Sequence, residues 1–256
     1  MNDENDEYYY INGQHYDNMI KSRNAYESIP FYVKQAKIYD GPVLELACGT
    51  GRITIPIAQE GISVVGLDFS AKMLNQAKRN SRALNLDIDW IEGDMTNFSL
   101  GRKFSLIIIP AAAINWILNN RDIESCLSCV KKHLRRKGKF IFNVFNPNLE
   151  ILQRDPSLRY QMFDYPNPHG EGVVKVSENS TYNKATQINY VNTYHKIEDK
   201  EIIKKLKLRM LFPQELDALL HYNDFIIDYK YGNFDEELFT SNSNWQIVIC
   251  HSCVVK

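Results

Sequence analysis

Two glycines and two carboxylates carry the first chemical signal in this sequence. Gly49 and Gly51 follow the apolar run PVLELA, where a strand turns into a helix. Glycine there lets backbone approach a ligand closely and offers amides to negative charge. Asp68 closes a second apolar run in VVGLDFS, and Asp94 follows a third in DIDWIEGDM. A carboxylate at the end of a second strand can accept two hydrogen bonds from ribose hydroxyls. As a plain N-terminal charge on the following helix it is worth only some tenths of a kcal/mol. Met73 falls on the first turn of that helix, near a ligand or in the core. Asp94 beside Met95 offers an acceptor for an exocyclic amine next to an apolar flank. A dinucleotide loop needs a third glycine for close helix–strand packing, and Thr54 stands there instead. No Gly-Lys-Ser/Thr follows, so a Walker loop is excluded as well. The loop therefore points away from a pyrophosphate ligand.

The elements around these residues alternate. SIPFYVKQAKIYDG reads as a helix with Pro30 near its start and Gly41 past its end. Strand PVLELA, helix RITIPIAQEG, strand SVVGLD, a helix capped by Ser70, then strands DIDWIEG and KFSLIIIP follow in turn. A helix over DIESCLSCVKKHLRR leads to strand five, GKFIFNVFN. Such alternation implies right-handed crossovers and a parallel sheet covered on both faces, a doubly wound α/β fold. After Asn146 the pattern changes to four strand-like runs joined by turns such as NKAT and EDK, an antiparallel sheet inserted after strand five. Helix PQELDALLHY and two final strands bring the main sheet to seven. The expected division is an N-terminal arm over 1–26, a main domain over 27–147 and 213–256, and the inserted sheet over 148–212. The first seven residues read as disordered.

Composition narrows the function. The 256 residues include 30 basic and 31 acidic side chains, a net charge of -1 that leaves no footprint for nucleic acid. No apolar run approaches the roughly 20 residues needed to span a bilayer, and MNDENDEYYY lacks the layout of a signal peptide. A cytoplasmic protein with reduced thiols is expected. Cys126 and Cys129 fall on or beside the apolar face of their helix, and Cys250 and Cys253 point to opposite faces of a strand. Neither pair suits a shared ion, so no metal is expected.

VLELACGTGR, GLDFSAKML and EGDM, in that order and at those intervals, resemble the class I S-adenosylmethionine-dependent methyltransferases, with a Rossmann-like sheet. The resemblance covers about residues 27 to 145 by motif and reaches the C-terminal strands by layout. It implies that Gly49 and Gly51 pass under the methionine part of the cofactor, that Ala47 also contacts the cofactor, and that Asp68 binds its ribose. Phe69 and Met73 would pack on adenine, Asp94 and Met95 would read its edge, and Pro110 would border the same cleft. Tyr16-Asp17 is similar to a Tyr-Asp pair in the arm of small-molecule members, where the tyrosine closes over the methionyl group. Otherwise Tyr16 packs the arm onto the sheet. Arg52 is expected to pair with the cofactor carboxylate or to lie in solvent on a first helical turn.

The acceptor side is read from the loop after strand four. Enzymes of this class that methylate amines of bases carry Asn/Asp-Pro-Pro-Tyr/Phe there; this chain has Pro110-Ala111-Ala112-Ala113. That argues, with the charge balance, for a small-molecule substrate. Asn115 and Trp116 are candidates for the acceptor pocket, Trp116 alternatively being core under the inserted sheet. Asn146 faces the cleft or marks an Asn-Pro turn. Arg209 holds an acidic substrate group or lies on a solvated stripe with Lys205 and Lys207. His169 and His195 carry little weight as bases. The placement of the insert looks like that of sugar-amine and glycine-type N-methyltransferases, where such strands form a substrate lid or a dimer contact. N-methylation is the expected reaction. A non-catalytic cofactor-binding or partner-binding protein is the alternative of another class, and a nicotinamide oxidoreductase is disfavoured by the missing glycine.

Overall fold

The computed structural model describes residues 13–22 and 26–253. The expected disorder of the first seven residues lies outside this range. Helix α1 (Gly13–Ser22) is followed by α2 (Ser28–Tyr39) and β1 (Val43–Leu46). Next come α3 (Thr54–Gln59), β2 (Val64–Asp68), α4 (Ala71–Arg82), β3 (Asp89–Glu92) and β4 (Phe104–Ile109). A 3-10 turn at Ala113–Trp116 precedes α5 (Asn120–His133) and β5 (Leu134–Phe145). Short α6 (Leu149–Leu152) opens onto β6 (Tyr160–Pro166), β7 (Val173–Asn183), β8 (Ile188–Ile197) and β9 (Lys200–Arg209). The chain closes with α7 (Pro213–Tyr222), β10 (Phe225–Tyr231) and β11 (Trp245–Ser252).

The main sheet runs β10-β11-β5-β4-β1-β2-β3. β3, β2, β1, β4 and β5 pair in parallel, and β11 is antiparallel to both of its neighbours. Strand order reverses beside β1, so the glycine loop leaves the sheet at its switch point, where ligands of open α/β sheets bind. Each face of the sheet buries its own core. On one face Leu44, Leu46, Ile107 and Phe140 meet Leu127 of α5 and Leu216 of α7. On the other, Val43, Leu106, Ile108 and Ile247 meet Phe31 and Tyr32 of α2 and Ile57 of α3. The central parallel strands β1, β2 and β4 are buried and mostly apolar because both faces are covered.

The predicted antiparallel insert is present as a four-stranded meander in the order β6-β7-β8-β9. Its β7–β8 turn is built where NKAT was read: the Asn183 side chain accepts from the amides of Ala185 and Thr186 at 3.0 and 3.1 Å. One face of this sheet holds Tyr165, Val174 and Val176, which pack with Met19 and Ile20 of α1. The arm is thus wedged between the insert and the main domain. All five cysteines are free thiols, four buried and Cys253 exposed. Among the described residues no helix is long and apolar enough to cross a membrane.

Candidate cofactor and acceptor site

One carboxylate ties the glycine loop to the end of β2. Asp68, at the end of β2 and only 5% exposed, accepts from the Gly49 amide at 2.8 Å through Oδ2. Its Oδ1 accepts from the Ser70 amide at 2.9 Å, and Ser70 in turn caps α4 by accepting from the Met73 amide at 3.3 Å. Burial pushes the Asp68 carboxyl above its ordinary range, against the pull of these two bonds. Each carboxylate oxygen has a second lone-pair direction, so both still have acceptor capacity for a ligand.

Gly51 has φ of 85°, and a Cβ there would stand 2.6 Å from the Trp90 ring, so two independent constraints demand glycine. Gly49 differs. Its φ is 57°, yet an added Cβ would meet only the Met73 methyl, at 3.3 Å, which leaves the loop open on its outer side. Ala47, Ala111 and Ala112 also adopt a left-handed backbone, each with φ of 56°. They follow β1 and β4, so three alanines in this less populated conformation stand at the carboxyl edge of the sheet.

The arm reaches this loop. Thr50 donates to Asp17 Oδ1 at 2.7 Å, and Asn80 of α4 bridges Asp17 Oδ2 and the Thr50 carbonyl at 3.3 and 3.2 Å. Tyr16 is hydrogen-bonded to Arg52, and burial raises its phenol pKa. Arg52 also donates to Ser28 at 2.9 Å, so it is a partly buried, anchored cation and not a solvated one. Beneath it lies Glu45 of β1, 3% exposed and bonded to Thr54. Burial lifts the Glu45 carboxyl to about 8, with the Thr54 bond and Arg52 pulling the other way. The sequence reading passed over Glu45. A lone acid inside the apolar strand VLELA was the signal available.

On the side assigned to adenine, Phe69 stands 53% exposed while Met73 is buried against the loop. Asp94 is exposed, its Oδ1 accepting from the Thr96 amide and hydroxyl, both at 2.8 Å. Met95 packs half-buried on the core, and Pro110 is buried at the end of β4. Ala47, Gly49, Gly51, Asp68, Phe69, Met73, Asp94 and Met95 thus line the successive loops at the carboxyl ends of β1, β2 and β3.

The acceptor candidates divide. Trp116 is 46% exposed, which removes its reading as core. Asn115 is fully buried and donates to the Arg209 carbonyl at 2.6 Å while its oxygen accepts from the Phe145 amide at 3.4 Å. Each end of its amide makes a bond to backbone, which ties the loop after β4 to the ends of β5 and β9. Arg209 neither lies on a solvated stripe nor presents a free charge. It pairs with Glu215 at 2.5 Å and donates to Gln187 at 3.0 Å, with its side chain 11% exposed. Asn146 donates to the Ser243 carbonyl at 2.7 Å, a tie between the loops flanking β5 and β11. His195, set aside in the sequence, is completely buried beside Tyr165, whose hydroxyl lies 3.1 Å from His15 of the arm. A broad depression of about 820 Å3 lies at the opposite edge, near the starts of β2 and β3, away from all of these groups.

Residues 43–138 match the methyltransferase domain family. The dTDP-3-amino-3,6-dideoxy-alpha-D-glucopyranose N,N-dimethyltransferase of Streptomyces fradiae is 33% identical over 96 residues, 38% of this chain and 36% of that one. Among solved structures, the CcbJ methyltransferase of Streptomyces caelestis aligns with a TM-score of 0.75 at 20% identity, covering 90% of this chain and 89% of the other. The SAM-bound amino pentose methyltransferase CalS10 of Micromonospora echinaspora gives 0.70 at 16%, covering 93% and 96%. These structural likenesses speak for the fold. The chain spans less than two thirds of the length of the curated relatives it matches first. Loop, carboxylate spacing, sheet order and family match agree on a methyltransferase domain over residues 43–138.

Proposed function

We propose that the protein transfers a methyl group from S-adenosylmethionine to an amine nitrogen of a small molecule. The observation that carries the reading is the Asp68 junction. One buried carboxylate joins the open glycine loop to the helix that follows an exposed aromatic ring. The residues present fit the cofactor. Gly49 leaves room where a side chain would intrude, Asp68 keeps acceptor capacity for ribose hydroxyls, and Phe69 offers a ring face for adenine. Asp94 and Met95 would read the adenine edge, Arg52 would meet the carboxylate, and Tyr16 would cover the methionyl group. When bound, the cofactor supplies an electrophilic methyl on a sulfonium.

The protein's own task is alignment and exclusion of water. Orientation alone can be worth roughly 7 to 11 kcal/mol in such displacements, so no elaborate catalytic group is required. Arm and insert supply the cover, since α1 is tied to the loop by Asp17 and packed on the insert by Met19 and Ile20. An amine acceptor is supported by the Streptomyces fradiae relative and by the placement of the insert. The loop Pro110-Ala111-Ala112-Ala113 and the balanced charge favour a small molecule over nucleic acid.

Calorimetric titration with S-adenosylmethionine, S-adenosylhomocysteine and NAD, repeated on Asp68→Ala, tests the cofactor. Micromolar binding of both sulfur ligands, lost in the variant and absent for NAD, is expected. Folded protein that binds neither would sink the reading. A screen for S-adenosylhomocysteine release across amines and hydroxylated metabolites then tests the acceptor, and turnover confined to hydroxyls would overturn the amine.

A further inference from the structure

Asp94 and Met95 lie on the loop that joins β3 to β4, and Met95, Phe98 and Leu100 of this loop pack on the core that holds Cys126 and Leu127 of α5. The same helix supplies the polar ties. The Cys129 thiol donates to the Thr96 carbonyl at 3.6 Å, and the Leu100 amide donates to His133 Nε2 at 3.0 Å. Between these two points the Phe98 ring lies against the His133 imidazole, with centroids 4.5 Å apart and planes at 32°. Cys129 and His133 are both buried.

The tautomer of His133 follows from its partners. A backbone amide can only donate, so Nε2 accepts from Leu100 and carries no proton. Nδ1 then holds the proton and donates to the Cys129 carbonyl, one turn back in α5, at 2.7 Å. Both bonds together require the neutral ring. One nitrogen is committed to the helix and the other to the loop, so the imidazole has one orientation and fixes Leu100 against the end of α5.

The tie at Thr96 bears on the carboxylate itself. The Thr96 amide and hydroxyl both donate to Asp94 Oδ1 at 2.8 Å, and the Asn97 amide donates to the Asp94 carbonyl at 2.9 Å. Oδ1 is thus used within the turn, and Oδ2 has acceptor capacity for a ligand amine. Asp94 is exposed, so packing does little to place it. Its aim is set by the turn, and the turn is held by α5 through Cys129 on one side and His133 on the other.

We propose that His133, together with Cys129, is a positioning residue that aims Asp94 at the adenine amine of the cofactor, so that α5 sets the preference for the nucleobase. This assignment rests on the methyltransferase reading. Full-length protein is titrated with S-adenosylhomocysteine and with S-inosylhomocysteine, in which a carbonyl oxygen replaces the adenine amine. The adenosyl ligand is expected to bind roughly ten- to hundredfold more tightly, about the worth of one hydrogen bond to a charged group. His133→Leu should bring that ratio towards unity, whereas a merely structural role would weaken both ligands alike and leave the ratio standing. His133→Gln returns an acceptor near the place of Nε2 and should recover much of the preference. Asp94→Ala should erase the ratio by itself. Adding His133→Leu to it should then cost the adenosyl ligand little more, because residues that act through one contact are not additive. Cys129→Ala cuts only the tie at Thr96 and gives the same test with the His133 bonds intact, should His133→Leu fail to fold. A wild-type ratio near unity, a ratio unchanged in both His133→Leu and Cys129→Ala, or additive losses in the double variant would overturn the proposal. Wild-type protein without affinity for S-adenosylhomocysteine would instead mark failure of the parent reading, and the role of His133 would fall with it.

Discussion

At the scale of single residues, the site is governed by acids that burial has altered. Asp68 satisfies two amides that would otherwise be buried without partners, so Asp68→Ala has a structural cost besides any loss of ligand. We expect about 2 kcal/mol in urea denaturation, the order for stranding buried donors, with much of it restored by Asp68→Asn. Glu45 behaves differently. Its folded pKa of about 8 lies above the ordinary value of 4.5, so the folded state holds the proton more tightly than the unfolded chain. The resulting stabilisation is fully present below pH 4.5 and is lost as pH rises through 8. Thermal midpoints of Glu45→Gln between pH 5 and 8 should therefore decline less steeply than those of the wild type. Parallel slopes would refute a buried, protonated Glu45. Gly51→Ala should cost about 3 kcal/mol, since a left-handed φ and the Trp90 ring both oppose the added methyl.

At the scale of elements, α1 matters most, because it touches both halves of the site. Gly13 lies so close to α4 that a Cβ would stand 2.6 Å from the Gln76 side chain, and Asn18 donates to the Pro166 carbonyl of the insert at 3.1 Å. Thr50→Val deletes the Asp17 bond without touching the loop backbone. We expect roughly ten- to hundredfold weaker S-adenosylhomocysteine binding, about the worth of one hydrogen bond to a charged group. Faster amide exchange over residues 13–22 should accompany it. Unchanged exchange would show that packing of Met19 and Ile20 alone holds the arm. That an N-terminal arm precedes the main domain was readable from the sequence; its anchorage was not. Asp17 and Thr50 lie 33 positions apart, and nothing local in either segment announces the pair.

For the whole molecule, the arm and the insert meet through a buried polar cluster that titrates. His15 is held at about 4 by burial and by the neighbouring His169 and Lys204, and His195 at about 3 by burial, Lys204 and His15. Both histidines therefore favour the folded state above pH 6.5, and that stability is lost as pH falls towards their folded values. The sign is opposite to that of Glu45. Acidification from pH 7 to 5 should loosen the contact between arm and insert while the Glu45 region tightens. Amide exchange over residues 13–22 and 160–197 in the wild type and in His195→Gln checks this. Protection factors in those segments that are flat with pH would exclude the histidines as the cause.

Much of the frame was legible in the sequence because it is written in short-range patterns. Alternating strands and helices, Ser70 as a cap, the two-glycine loop and acids at the ends of successive strands each depend on neighbours within a few residues. Those patterns carried the fold class and the resemblance that implies the cofactor, and the structure sets Asp68 and Phe69 at the carboxyl end of β2. Tertiary structure alone decided what became of the acceptor-side candidates. Asn115 and Arg209 were chosen for their chemistry, yet one is committed to backbone and the other to Glu215. Trp116, equally at home in a core by type, is left exposed. A polar side chain's role is set by which partners the fold brings within 3 Å, and those partners lie on strands and helices far away along the chain.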